Sequence, residues 1–446
     1  MGRDATRREA WRLLALTALL AFAHAGMIAL APALMEQHRP GASQILVFVG
    51  LALLGGAAWF VAIGPLDRLV PDRAVIGAVI IFGAAMRLGW FGTPLVLDTD
   101  ALRYLWDGAQ AAHGIWPWAA PPATGLPPER AAGTAVHAAL PFAAVRTIYP
   151  GTAQLAFLLA HWVAPWELLG LRIIMLGAEA AAVLLLVALL RRAGLPVMRA
   201  AVWWCCPLLP LVLTNAAHVD ALLPALLLGA LLATLGGRGA LAGGLLGLAA
   251  GVKLWPVLLV PLVARWLPAS ARLPAAAAFG LAAILTLGPL LASAAAPDAG
   301  LNAFAQGWVA NNAPLAWVQG VFGRSVGEGL RPLLALGGGL VALAVARPSP
   351  GEPASLIRYT LVVAAATFYL SPAQFPWYGV WFLPFAAALG CRALLLSAVL
   401  LPLYYSFFAL RDLGLGAVFA HGVAAIHLAG VLVLLILSPA RTPAPR

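Results

Sequence analysis

The chain has 446 residues, of which 63% are hydrophobic and 10% charged. So little polar surface cannot cover so much apolar chain in water, which excludes a soluble globular protein; the apolar runs are continuous and not alternating, which excludes an outer-membrane β-barrel. The net charge of +11 falls largely in short loops between apolar runs, the positive-inside pattern, and is no sign of nucleic-acid binding.

Apolar runs of about 18–25 residues recur, long enough to cross a ~30 Å hydrocarbon core. The first, Trp11 to Met35, is too long for a signal-peptide core and reads as a retained span. Arg3, Arg7, Arg8 and Arg12 place the N-terminus on the cytoplasmic side. A second span covers Ser43 to Pro65, Arg68 and Arg73 mark a cytoplasmic loop, and a third span, Ala74 to Phe91, leads outward. Residues 92–165 then form a long extracytoplasmic loop. Its last piece, Ile148 to Ala164, is short, begins with Tyr149-Pro150-Gly151, and reads as a juxtamembrane or re-entrant helix. Leu168 to Leu190 returns to the cytoplasmic arginines Arg191, Arg192 and Arg199. One span runs out to Asn215–Asp220 and another returns to Gly236–Gly239.

Leu241 to Ala264 contains Gly251-Val252-Lys253-Leu254-Trp255-Pro256, a break that suits a hairpin entering and leaving on the cytoplasmic face; a pair of ordinary spans is the alternative. Residues 297–330 form a second extracytoplasmic loop, as do Ser371 to Trp377, while Arg347 to Arg358, Cys391-Arg392 and the tail Arg441 to Arg446 lie inside. The expectation is one all-α polytopic membrane domain over residues 1–446, with about 12–14 membrane segments. Cys205, Cys206 and Cys391 all sit in apolar stretches with no metal or disulfide spacing.

The chemistry concentrates in the first long loop. Of only 16 acidic residues, three fall between Leu97 and Gly108: Asp98, Asp100 and Asp107. Carboxylates are costly beside a bilayer, so such a cluster marks a functional site. Ala101 to His113 reads as a helix, stopped by Gly114 with Pro117 beyond. Asp100, Arg103, Tyr104 and Asp107 are spaced i, i+3, i+4, i+7 and share one face; Leu102, Leu105 and Trp106 form an opposite face suited to the membrane surface. The stripe suits a polar headgroup or a sugar, with a carboxylate to take a proton from an acceptor hydroxyl. The plainer readings are that Asp98 caps the helix and that Arg103 and Asp107 are a surface ion pair.

All 27 basic residues are arginine except Lys253, deep in an apolar run, where an ammonium suits a phosphate partner or a structural one. His218 and Asp220 end a span on the outer side and line the same cavity as Asp98 or stay in the loop; alone they are too few ligands for a metal. Glu179 is mid-span, with Arg172 seven residues earlier as a candidate partner. Trp308, Asn311, Asn312 and Trp317 crowd the second loop, and Trp377 and Tyr378 open a later span, either as interface anchors or as sugar-stacking residues.

Taken in order, these motifs resemble the polyprenyl-phosphate-sugar-dependent glycosyltransferases of the GT-C superfamily, above all the bacterial integral-membrane mannosyltransferases. The matching residues are Asp98-Thr99-Asp100, Arg103 to Gly108, Gly114-Ile115-Trp116-Pro117-Trp118, Ile148-Tyr149-Pro150, Asn215 with His218-Val219-Asp220, Gly251-Val252-Lys253 with Pro256, Asn311, and Pro376-Trp377-Tyr378. The departures are Trp116-Pro117-Trp118 for Asn-Pro-Tyr and Gly151 for a second proline. The resemblance implies a GT-C-type bundle in a bacterial inner membrane with its active site extracytoplasmic. It implies a hexose donor, mannose first, on a polyprenyl phosphate, and a lipid or glycan acceptor. Asp98 or Asp100 would be the general base. Arg103 and Lys253 would hold the donor phosphate. Tyr104, Asp107, Tyr149, His218, Asp220, Asn311, Trp377 and Tyr378 would contact substrate. No cofactor is implied, although a D-x-D binds Mg²⁺ or Mn²⁺ in nucleotide-sugar enzymes. The competing class is a lipid or glycolipid transporter or flippase, for which Lys253 in its broken run is the favouring feature.

Overall fold

The computed structural model describes residues 3–35, 40–125 and 127–437. The tail Arg441–Arg446, expected on the cytoplasmic side, lies outside the described residues. Among the described residues there is no strand, only an isolated bridge between Ala310 and Ala373. Eight helices among the described residues are long and apolar enough to cross a membrane: Arg8–Leu34, Ala42–Asp67, Leu168–Arg192, Ala269–Ser293, Arg324–Ala346, Pro353–Leu370, Arg392–Asp412 and Gly416–Leu437. This is an all-α, multi-pass membrane protein. Four shorter apolar helices join them, Val219–Leu235, Gly239–Ala250, Trp255–Trp266 and Ala313–Phe322, so many of the expected segments are short or broken.

In chain order the site-building elements are α1 (Arg3–Leu30), α2 (Ala42–Asp67), α3 (Arg73–Leu88), α4 (Asp100–Ala112), α5 (Arg130–Ala138), α6 (Gly151–Val163), α7 (Leu168–Arg192), α8 (Arg199–Trp204), α9 (Leu222–Leu235), α10 (Gly239–Ala250), α11 (Val260–Trp266), α12 (Ala269–Ser293), α13 (Gly300–Gly307) and α14 (Ala313–Phe322). One end of the bundle gathers arginines: Arg199 reaches Asp67 and the Ala388 carbonyl, Arg392 the Phe60 carbonyl, and Arg265 the Ser349 hydroxyl. The D-x-D lies at the opposite end.

The run after Arg199 is not one span. Pro207 and Pro210 remove backbone donors, so α8 stops after six residues. The chain then widens into a turn in which the Ala216 amide reaches the Leu211 carbonyl and the His218 amide the Val212 carbonyl. This irregular backbone is buried in protein, the condition under which a membrane tolerates it.

The chain reverses direction at Lys253. Gly239, Gly243, Gly247 and Gly251 recur every four residues along α10. A methyl at Gly239 would lie 2.0 Å from the Ala271 carbonyl oxygen, and one at Gly243 2.0 Å from that of Ala275. Small residues permit this close backbone approach. The contacts advance together, Gly247 meeting Ala282 and Gly251 meeting Thr286, so α10 and α12 run parallel. The arm from Trp255 through α11 must therefore return to the face where α10 began. With twelve residues, α10 rises only about 18 Å, too little to cross. Its tip docks on α6, whose Thr152 and Ala153 amides donate to the Gly251 carbonyl at 3.0 and 3.2 Å. Gly151 sits at a crowded point, where a Cβ would lie 2.9 Å from the Thr286 Cα.

Two expectations are corrected. Glu179 does not pair with Arg172, since seven residues along one helix separate them by about 10 Å. Its partner is Arg87 of α3 at 2.7 Å, while Arg172 donates to the carbonyls of Phe91, Thr214 and Asn215. Nor does α4 rest an apolar face on the membrane. Leu105 and Trp106 are buried, Trp106 stacks on His137 of α5, and Tyr104 stacks on Phe157 of α6 with centroids 4.4 Å apart. Gly108 lets the helices touch, because a methyl there would sit 2.4 Å from the Phe157 carbonyl oxygen.

Candidate active site

The strand of chain leading to Asp98 is braced by Asn215. Its side-chain oxygen accepts from the Val96 amide, and its amide group donates to the Pro94 carbonyl and the Thr93 hydroxyl. Leu97, just before Asp98, has φ 50°, and Ala217, just before His218, has φ 53°. Non-glycine residues rarely adopt this region, and such strain persists only where surrounding contacts over-determine it. Here it aims Asp98 and His218 at each other: His218 Nε2 lies 3.0 Å from Asp98 Oδ2.

A closed ring of hydrogen bonds joins the two aspartates. The Asp100 amide donates to Asp98 Oδ1 at 2.9 Å. Tyr104 Oη lies 3.2 Å from His218 Nδ1. Tyr149 Oη lies 3.3 Å from Tyr104 Oη and 3.4 Å from Asp100 Oδ2. Asp98 thus does cap the start of α4, but with one oxygen only. Asp100 is half-buried and lines the cavity, and only its Oδ2 takes part in the ring. Burial raises the Asp100 carboxyl to about 6, helped by the charge on Asp98 and opposed by His218, Lys253 and the Tyr149 hydroxyl. Burial also raises the phenols of Tyr104 and Tyr149, keeping them as donors.

The cavity that Asp98, Asp100 and Tyr149 border has a volume of about 210 Å³ and is lined by Asp98, Asp100, Arg103, Arg146, Tyr149, Lys253, Trp377 and Tyr378, with Phe304 and Trp308 from the second loop and Tyr404 and Phe408 near the C-terminus; Tyr104, His218 and Asp220, expected to contact substrate, are fully buried behind its wall and do not line it. Lys253 Nζ lies 3.5 Å from Asp220 Oδ2 and 5.4 and 5.1 Å from the rings of Tyr149 and Tyr378. Asp220 is fully buried and accepts from the Trp381 indole N–H at 2.7 Å. Arg103 lines the cavity while donating to Asp107 and the Val145 carbonyl, and its Nη2 is buried without a protein partner. A second chamber, of about 230 Å³, shares Ile148, Tyr149, Lys253, Phe304 and Tyr378 with the first and adds Leu254, Trp255, Leu301 and Trp381. Lys253 therefore stands between a polar chamber and an apolar one.

Some expected roles change. Asp107 does not face the cavity; it is buried, its carboxylate taken up by Arg103, Thr147 and Gln154. The Arg103–Asp107 pair is buried, not a surface pair. Asn311 contacts the Gln374 carbonyl and borders a neighbouring pocket, away from the aspartates. Trp377 and Tyr378 are buried, not interface anchors, and Trp377 stacks on His218 with centroids 3.8 Å apart. Sequence reading missed Arg146, Phe304, Tyr404 and Phe408, none of which sits in a local pattern. It also missed His113, Glu129 and His161, whose ligand atoms lie within 4.8 Å of one another. No family model, curated protein or solved structure matches this chain.

Proposed function

We propose that this protein is a membrane glycosyltransferase. It moves a hexose, mannose by the family resemblance, from a polyprenyl phosphate to a lipid or glycan acceptor at the extracytoplasmic face, with inversion. The observation that carries this reading is the meeting, in one cavity, of the Asp98–Asp100 pair with Lys253 and Arg103, beside an apolar chamber. The carboxylates suit an acceptor hydroxyl, the cations suit a departing phosphate, and the apolar chamber suits the lipid tail.

The acceptor oxygen attacks the anomeric carbon as the bond from that carbon to the phosphate oxygen breaks. The electron pair leaves with the phosphate, and the hydroxyl proton passes to a carboxylate. Asp100 is the base in this reading, since only its Oδ2 takes part in the ring, while Asp98 is the positioning residue tied to His218. Lys253 and Arg103 meet charge that grows on the phosphate during the displacement, so they stabilise the transition state more than the ground state.

Two expected results arise here. With Asp100 raised to about 6, the base is lost as pH falls through that value, so kcat/KM measured from pH 4.5 to 8 is level above about 6 and falls about tenfold per unit below it; a profile level down to pH 4.5 would remove Asp100 from the role of base. Lys253→Met lowers kcat/KM for the donor by about tenfold to a hundredfold, the worth of one charge-assisted contact, and Lys253→Arg recovers it only in part.

The deciding experiment is transfer of radiolabelled mannose from polyprenyl-phosphate mannose to membrane lipids and glycans by the purified protein. Labelled product dependent on the protein supports the reading. The broken run carrying Lys253 favours a transporter as second reading; no transfer from this or other lipid-linked sugars, with movement of glycolipid across proteoliposomes, would establish it.

A further inference from the structure

At the far end of α4, about 20 Å along the helix from Asp100, three ligand-bearing side chains converge from three separate segments. His113 follows the last turn of α4, Glu129 precedes α5, and His161 lies near the end of α6. His113 Nε2 is 3.2 Å from Glu129 Oε1, and His161 Nε2 is 3.6 Å from the same oxygen. A tetrahedral ion with bonds of about 2.0–2.2 Å places its ligand atoms roughly 3.4 Å apart. Both distances match that edge, and all three atoms lie within 4.8 Å of one another.

The surrounding bonds set each ligand for this role. His113 Nδ1 lies 2.9 Å from the Ala109 carbonyl, which can only accept, so Nδ1 carries the proton and Nε2 is left with its lone pair. Glu129 Oε2 accepts from the Trp166 indole N–H at 2.8 Å, which orients the carboxylate and leaves Oε1 for the shared position. His161 is buried, and its Nδ1 has no partner. In the neutral tautomer of His113, a nitrogen lone pair faces a carboxylate oxygen, an arrangement that a cation between them satisfies. His113 and Glu129 are each more than one-third exposed, which gives an ion access from solvent.

We propose that His113, Glu129 and His161 bind one zinc ion, with water as the fourth ligand. Two imidazoles and one carboxylate select zinc over calcium or magnesium, which take oxygen ligands. The ion ties the end of α4 to α6 and to Glu129 at the start of α5, and so fixes the helix whose other end carries Asp100. Its role is structural, remote from the sugar-transfer chemistry and independent of that assignment.

The test uses the full chain without a histidine tag, purified without chelator. Metal analysis of the wild type is expected to give about one zinc per chain. Cobalt reconstitution is expected to give the visible bands of a tetrahedral site. Both are lost in His113→Ala/His161→Ala, and added zinc raises the Tm of the wild type alone, because an ion that binds only the folded state stabilises it. Glu129→Gln keeps an acceptor for Trp166 while removing the charge, so it is expected to fold and to bind zinc at least tenfold more weakly; it serves if the double histidine variant fails to fold. Equal zinc and cobalt binding by the wild type and the variants, with no Tm shift, would overturn the proposal and leave a histidine–carboxylate ion pair only.

Discussion

Replacing Asp100 by asparagine is expected to lower sugar transfer by about 10²–10⁴-fold, the usual worth of a positioned general base, without unfolding the protein. Asparagine keeps the size and one carbonyl oxygen for the Tyr149 hydroxyl, so the hydrogen-bond ring is preserved. The stability change is expected to run opposite to the loss of activity. The folded-state value of about 6 lies above the ordinary aspartate value of 3.8, so the folded protein binds this proton more tightly than the unfolded chain does. Ionised Asp100 therefore costs stability above pH 6, and that cost falls as pH drops through 6. A neutral asparagine removes the cost at neutral pH. The expected outcome is an inactive protein with a Tm equal to or above that of the wild type, read by transfer assay and thermal unfolding on one preparation. Full activity in Asp98→Asn/Asp100→Asn would sink the carboxylate mechanism altogether. In Asp98→Asn alone, a smaller loss is expected, since Asp98 acts through His218 and the Asp100 amide.

What the sequence disclosed and what it hid divide along physical lines. The stripe Asp100, Arg103, Tyr104 and Asp107 was legible because helical spacing places those residues on one face whatever surrounds them. The break at Lys253 was legible because glycine and proline act on the local backbone. Which atoms each stripe member uses was not legible. Asp107 spends its carboxylate on Thr147 and Gln154, about 40 residues away in sequence, and Asp100 ties only its Oδ2 into the ring. The difference lies in how α6 packs on α4, which no local pattern encodes. The burial of Leu105 and Trp106 has the same origin, because an amphipathic helix presents the same pattern to lipid and to protein. His113, Glu129 and His161 are spaced 16 and 32 residues apart, unlike any metal motif of short repeats, and only the folding of the loop brings them together.

Removing Arg87 is expected to give the largest loss of stability. Arg87 and Glu179 are both fully buried and joined by two hydrogen bonds, at 3.0 and 2.7 Å. Arg87 also donates to the Gly83 and Trp204 carbonyls, and its guanidinium lies 3.8 Å over the Trp204 ring. Arg87→Met leaves a carboxylate without its counter-charge among membrane helices, where breaking one half of a buried pair costs about 3–5 kcal/mol. Glu179→Gln is milder, since the amide oxygen still accepts from Arg87 and the guanidinium keeps its two carbonyls. The double variant Arg87→Met/Glu179→Leu removes both charges together, and buried pairs replaced by apolar residues of similar size are often close to neutral. It is expected to recover at least half of the loss, short of the wild type by the cost of the Trp204 carbonyl left unpaired. Unfolding in a denaturing detergent titration reads all three variants. A double variant no more stable than Arg87→Met would show that the pair holds α3 to α7 through shape and not through charge.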